Sequence, residues 1–189
     1  MSFTQNTDLW KKLCSTMSFN EEVNNKFVKR KPTRLSEYDY STPGAYFVTI
    51  CTKDRKQLLS KIVGDGVLDV PQNDLTHYGK IADKHINQMN EFYEHISVDK
   101  YVIMPNHIHI ILLITDSENG TSRTPSPTNA EIPRFISTFK RYCNREYGHN
   151  IWQRSFHDHI IRGERDYEKI WQYIDTNVVC WEKDCFYNE

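Results

Sequence analysis

The chain has no long apolar run. Near the N-terminus, Asp8, Lys11 and Lys12 break up the few hydrophobic residues, so neither a membrane span of about 20 residues nor the h-region of a secretion signal can be built there. The expectation is a cytoplasmic protein without a membrane partner. Paired cysteines are lacking as well. Cys14, Cys51, Cys143, Cys180 and Cys185 are odd in number, widely spread and never form a CxxC pair, which excludes a disulfide framework and a cysteine zinc site and implies reduced, buried thiols. Nor is there a surplus of positive charge. The formal net charge of −1 argues against a chain that coats nucleic acid over its whole surface, because neutralising phosphates with Lys and Arg supplies most of that affinity.

The charge is, however, segregated. Between Ile132 and Arg165, Arg134, Lys140, Arg141, Arg145, Arg154, Arg162 and Arg165 face only Glu146, Asp158 and Glu164, a distribution that suits one phosphate-facing surface. With 189 residues, 38% hydrophobic and 13% aromatic, the chain can bury one core. Residues 1–37, polar and mixed in sign with a basic knot at Lys29-Arg30-Lys31-Pro32, read as an N-terminal extension with helical tendency near Leu9 to Leu13. Residues 38–181 read as the domain and residues 182–189 as a C-terminal tail.

Within the domain, Tyr46 to Thr52 is β-branched and aromatic after a Pro43-Gly44 turn and predicts a strand. Asp65-Gly66 and Pro71 mark a long irregular connection. Tyr78, Ile81, Ala82, Ile86, Met89 and Tyr93 recur at helical spacing within Leu75 to Tyr93. Ile96 to Met104 and His107 to Ile114 predict an antiparallel hairpin around Pro105-Asn106. Residues 116–130, rich in Ser, Thr, Asn and Pro, read as a mobile loop. A second helix is expected from Glu131 to Tyr147, ended by Gly148, with Ile132, Phe135, Ile136, Phe139 and Tyr142 facing a sheet. Ser155 to Ile161 reads as a fourth strand, and Asp166 as the N-cap of a last helix running to Val179. The order β-α-β-β-α-β closes naturally as a ferredoxin-like split βαβ fold, α+β in class: four antiparallel strands, two helices on one face, and a C-terminal helix.

Side chains on a strand alternate, so His107 and His109 share one face while Ile108, Ile110 and Leu112 take the other. Two converging imidazoles suit a divalent metal, and a third polar ligand must come from elsewhere. An isolated HxH is equally consistent with two hydrogen-bonded histidines at a strand edge. A histidine-triad hydrolase would want a further His at position 111, which is Ile, and a two-histidine phosphoesterase a second HxT. The other His-x-His, His157-Asp158-His159, reads as a polar strand face rather than a ligand pair. On the last helix Tyr173 and Asn177 are spaced i, i+4 and share a polar face with Lys169 and Thr176, opposite the stripe Tyr167, Ile170, Trp171, Ile174 and Val178.

Met104-Pro-Asn-His-Ile-His-Ile110, then Trp152-Gln-Arg-Ser-Phe-His-Asp-His-Ile-Ile-Arg162, then Asp166-Tyr-Glu with Tyr173-Ile174 and Asn177, together resemble the IS200-like transposase family. The likeness is to its REP-associated tyrosine transposase branch and runs from about Tyr38 to Trp181. Relatives usually follow the asparagine with proline, whereas Val178 stands here. The resemblance implies an HUH single-strand DNA nuclease and strand transferase. It implies Tyr173 as nucleophile, His107, His109 and Asn177 as ligands of Mg²⁺ or Mn²⁺, and a 5′-phosphotyrosine intermediate.

Imidazole ligands tilt the choice of ion toward Mn²⁺, cellular abundance toward Mg²⁺. Arg134, Lys140, Arg141, Arg145, Arg154, Arg162 and Lys169 would track phosphates, with Trp152, Phe156 and Tyr142 stacking bases of single-stranded or hairpin DNA. Trp152 and Phe156 packing in the core is the equal alternative. A monomer and a homodimer with shared sites are both compatible with the family. A catalytically silent, domesticated hairpin-binding regulator is the alternative function.

Overall fold

The computed structural model describes residues 38, 40–64, 71–115 and 130–187. Expectations for residues 1–37 and for the 116–129 loop lie outside the described residues.

Strand β1 (Gly44–Cys51) pairs antiparallel with β5 (His107–Ile114) on one side and β6 (His157–Ile161) on the other, and β4 (Ile96–Ile103) pairs with β5. The resulting order β4-β5-β1-β6 is the split βαβ arrangement that the element sequence predicts. Helices α1 (His77–Phe92) and α2 (Glu131–Tyr147) cover one sheet face, and α3 (Glu164–Thr176) covers the other.

Strand alternation sorts the two faces. Tyr46, Val48, Ile50, Ile108, Ile110 and Leu112 bury against Ile86, Met89, Phe135, Ile136 and Phe139 in the larger core. Each such side chain contributes roughly 1.5–3 kcal/mol when fully buried. Phe47 and Ile111 point the opposite way and pack with Ile170, Tyr173 and Ile174 in a smaller core. Helix α2 has the predicted limits, and Gly148 at φ 76 ends it in the left-handed conformation that glycine adopts without strain.

Three expectations are corrected. The connection after β1 is not irregular throughout, since β2 (Ser60–Val63) and β3 (Gln72–Leu75) form a two-stranded ribbon. Helix α3 starts at Glu164 behind Gly163 and stops at Thr176, with Asn177 as its C-cap. Asp166 is therefore not the N-cap, and its carboxylate instead accepts from the Arg162 amide at 3.1 Å and pairs with His159 at 2.9 Å. Finally, residues 182–187 of the expected C-terminal tail pack onto the domain. A short 3₁₀ turn (Trp181–Lys183) leads to Asp184 and Phe186, only 5% and 2% exposed.

The ribbon is fastened to the hairpin that carries the histidines. Leu59 donates its amide to Pro105 O at 2.9 Å, Ser60 Oγ and Asn73 Nδ2 both donate to Ile103 O, and Thr76 Oγ1 donates to Leu58 O at 2.5 Å. Thr76 also caps α1 by accepting from the Gly79 amide at 3.2 Å. Gly79 is required by proximity, because a Cβ there would lie 2.0 Å from the Leu59 carbonyl oxygen. Across the sheet's other face, Lys100 pairs with Asp175 at 2.5 Å and lies 3.8 Å from the Trp171 ring centroid, tying α3 to β4. Among the described residues no helix is long and apolar enough to cross a membrane.

A buried histidine pair, a carboxylate and a tyrosine

The Pro105-Asn106 turn sets the site. Met104 donates its amide to His107 O at 2.8 Å, closing the hairpin and placing His107 opposite Cys51 and His109 opposite Thr49. Both imidazoles are fully buried. Asn106 Oδ1 lies 2.8 Å from His107 Nδ1 and can only accept, so Nδ1 carries the proton and Nε2 presents a lone pair. Thr49 Oγ1 holds His109 by Nδ1 at 2.8 Å, turning its Nε2 to within 2.9 Å of His107 Nε2. Such outer hydrogen bonds are what orient metal-binding histidines.

Asp184 completes the cluster. Its Oδ2 lies 3.6 Å from His107 Nε2, and one donor atom from each of His107, His109 and Asp184 fits within 4.8 Å. Burial pushes the Asp184 carboxyl up to about 6, and it drives His109 down to about 3 and His107 well below the ordinary imidazole value. Two neutral imidazoles and a carboxylate converging in a buried site form a donor set that a divalent cation fits.

Asn177 touches the cluster through Asp184. Its Nδ2 donates to Asp184 Oδ2 at 3.2 Å, while its buried Oδ1 has no hydrogen-bond partner and so offers one more oxygen donor. Sequence reasoning had named Asn177 and missed Asp184. No periodicity links position 184 to the histidines, and Asp184 is one of several polar residues in a short C-terminal stretch. The available signal was the alternation of Trp181 and Phe186 with Asp184, an apolar bracket around a carboxylate.

Tyr173 reaches the same point from α3. Its Oη lies 3.1 Å from His109 Nε2, and its ring packs edge-on against Phe47 with centroids 5.9 Å apart. Tyr173 and Asn177 do share a helix face, but it is the buried one, alongside Ile170 and Ile174. The expected polar face is thus corrected: α3 lies flat on the sheet, and the exposed side carries Lys169 instead.

The C-terminal segment roofs the pair. The Phe186 ring centroid lies 4.7 Å from that of His107 and 5.9 Å from that of His109, and Asn106 Nδ2 donates to Phe186 O at 2.7 Å. His157 belongs to this face too, since it pairs with Thr49 in register beside His109, and burial lowers its pKa.

The basic residues are dispersed. Arg134, Arg141 and Arg145 are exposed on α2, across the sheet from the histidines, with Arg141 and Arg145 flanking the Tyr142 ring at 5.6 and 5.7 Å. Arg154 and Arg162 are exposed at the two ends of β6. Lys140 is committed to the Gln153 and Ser155 carbonyls, both at 2.8 Å, and so braces the approach to β6. Trp152 and Phe156 are enclosed in the larger core, Trp152 against Phe139, which removes both from base stacking. Cys51 and Cys143 are buried, whereas Cys180 and Cys185 are half-exposed, correcting the expectation that all thiols are interior.

No family model matches the chain. An uncharacterised protein of Haemophilus influenzae is 32% identical over 173 residues, covering 84% of this chain and 93% of its own. A second Haemophilus influenzae protein, provisionally named a REP-associated tyrosine transposase, is 24% identical over 151 residues, covering 77% of each chain. Among solved structures, a REP-associated tyrosine transposase bound to a REP hairpin superimposes with a TM-score of 0.51 at 22% identity, covering 72% of this chain and 67% of that one, and so shares the fold. With the three ordered motifs around His107, Trp152 and Tyr173, these relationships make the chain similar to REP-associated tyrosine transposases, with which it shares the fold.

Proposed function

We propose that the protein is a metal-dependent single-strand DNA endonuclease and strand transferase acting in DNA transposition or the mobilisation of repeat elements. The carrying observation is the 3.1 Å contact between Tyr173 Oη and His109 Nε2, which supports Tyr173 as a nucleophile beside a metal-binding donor set. His107, His109 and Asp184 would hold Mg²⁺ or Mn²⁺, with Asn177 positioning Asp184 and offering its spare oxygen. Bound there, the ion would supply Lewis-acid polarisation of the scissile phosphate.

The chain's own groups do the rest. Asn106 fixes the His107 tautomer, Thr49 orients the His109 ring, and Phe47 with Ile170 and Ile174 hold the Tyr173 ring. Tyr173 Oη attacks phosphorus, its phenolic proton passing to solvent. The bond from phosphorus to the 3′ oxygen breaks, and that oxygen is protonated. The products are a 5′-phosphotyrosine and a free 3′-hydroxyl. The linkage keeps the phosphodiester energy, so attack by another 3′-hydroxyl rejoins strands without a nucleotide cofactor.

Single-stranded or hairpin DNA is the proposed substrate. Arg154 and Arg162 beside β6 would meet it first, with Lys169 on α3 and Arg134, Arg141 and Arg145 on α2 available to strands that wrap the domain.

A second reading has its own observation. Tyr173, His107, His109, Asn177 and Asp184 are each no more than 5% exposed, with the Phe186 ring against the two histidines, as expected of a silent hairpin-binding regulator. One assay separates the two: labelled single-stranded hairpin DNA with Mn²⁺, resolved on a denaturing gel. A covalent adduct that Tyr173→Phe abolishes supports the nuclease. Binding without adduct selects the regulator.

A further inference from the structure

The loop leaving β1 holds a strained backbone. Asp54 and Arg55, neither of them glycine, sit consecutively at φ 57 and φ 52, a left-handed conformation that disfavours ordinary side chains. The surroundings enforce it. Lys53 donates its amide to Ile151 O at 2.6 Å, Thr52 donates its amide to Asn106 O at 2.9 Å, and Thr52 Oγ1 donates to Lys56 O at 2.8 Å. The loop is therefore locked to Asn106, the residue that sets the His107 tautomer.

The strained backbone aims one side chain at the site. Arg55 is half-buried, its guanidinium carbon lies 5.3 Å from the Phe186 ring centroid, and Nη1 donates to Cys185 O at 3.4 Å. The same ring lies 4.7 Å, centroid to centroid, from His107. Its positive charge is felt at His107, His157 and Asp184 alike. A planar five-donor fork beside a cation site matches the non-bridging oxygens of a phosphodiester, which it can bind bidentately.

We propose that Arg55 is a phosphate-binding residue of this site, exchanging the Cys185 carbonyl and the Phe186 ring for the DNA phosphate that lies against His107, His109 and Asp184. The assignment rests on the reading of that cluster as the strand-cleavage site. It adds a residue that the basic stretch between Ile132 and Arg165 does not contain.

The test compares wild type, Arg55→Gly and Arg55→Lys, using a labelled single-stranded oligonucleotide pool with Mn²⁺. Binding is measured across a salt series, with adduct rate and Tm in parallel. Loss of one phosphate contact reduces the log–log salt slope by about 0.7 in Arg55→Gly, and the adduct rate falls about 100-fold. Glycine suits the backbone, so Tm is expected to rise by about 3 °C in the same variant. Arg55→Lys should keep most of the salt slope while losing most of the adduct rate, because the fork geometry is gone.

An unchanged slope in Arg55→Gly overturns the proposal, as does a lowered Tm combined with an Arg55→Lys variant that matches wild type in slope and rate. If wild type binds but forms no adduct, the nuclease reading falls and the salt slope still decides Arg55. If wild type binds no oligonucleotide, both fall.

Discussion

His107 and His109 gain their chemistry from side chains that never meet a ligand. Asn106 and Thr49 hold the two Nδ1 atoms, so each ring can present only Nε2 to the common point. Thr49→Val removes one of these holds at little cost in volume, and Mn²⁺ affinity measured by calorimetry should fall 10- to 100-fold. Asp184→Asn should cost at least as much, because it removes the one carboxylate that the described residues bring to the cluster, and an unchanged affinity would dismiss Asp184 as a ligand.

Acid should act on the same groups in the metal-free protein. The folded-state pKa of both histidines is depressed, so their stabilising contribution is present above about 6.5 and is lost as pH falls toward the folded value, about 3 for His109. Asp184 works in the opposite sense: raised to about 6, it favours the fold as pH drops from there toward 4. His157, also lowered by burial, adds to the two histidines, so the depressed imidazoles outweigh the one raised carboxylate and stability falls as pH drops from about 6 toward 4. Tm measured across that window should decline, and a flat profile would contradict the buried neutral pair.

Helix α3 and the segment behind it close the site from opposite sides. Phe186 covers both imidazoles, so DNA reaching the proposed metal ligands would have to displace its ring. Phe186→Ala should therefore lower stability by about 3 kcal/mol in denaturant titrations while speeding adduct formation, a combination that simple destabilisation does not produce. A slower adduct would mean that the ring supports the site instead of covering it.

The legibility of these elements follows from how local their causes are. The hairpin from Ile96 to Ile114 and helix α2 announce themselves by alternation, a Pro-Asn turn and a glycine stop. The β2–β3 ribbon does not, because Gln72-Asn-Asp-Leu75 is polar along its length and held by tertiary bonds such as Asn73 to Ile103 O. Helical spacing placed Tyr173 and Asn177 on one face but could not say that the face is interior. That depends on the sheet, whose Phe47 and Ile111 await the helix. Asp184 and Arg55 were illegible for the same reason: each is brought to the histidines by contacts distant in sequence.

The domain is lopsided. Two helices and most of the apolar mass lie on one side of the sheet, while the side bearing the histidines has one helix and a short C-terminal segment. The scaffold is thus insulated from the chemistry, and α3 and the 181–187 segment can adjust without breaching the larger core. One fastening crosses this division of labour. Leu59 joins the ribbon to Pro105 through its amide and to the Thr76 amide through its carbonyl, and Gly79 presses against that same carbonyl.

The ribbon, the start of α1 and the histidine-bearing turn therefore behave as a single lever with Leu59 as its pivot. A methyl group added at Gly79 would push on the short arm, and the displacement would arrive at Asn106 and His107. Gly79→Ala should accordingly weaken Mn²⁺ binding as well as lower Tm, although Gly79 contacts none of the candidate ligands. Traction on the ribbon by bound DNA would act through the same pivot in reverse, making metal affinity a gauge of mechanical load on the domain.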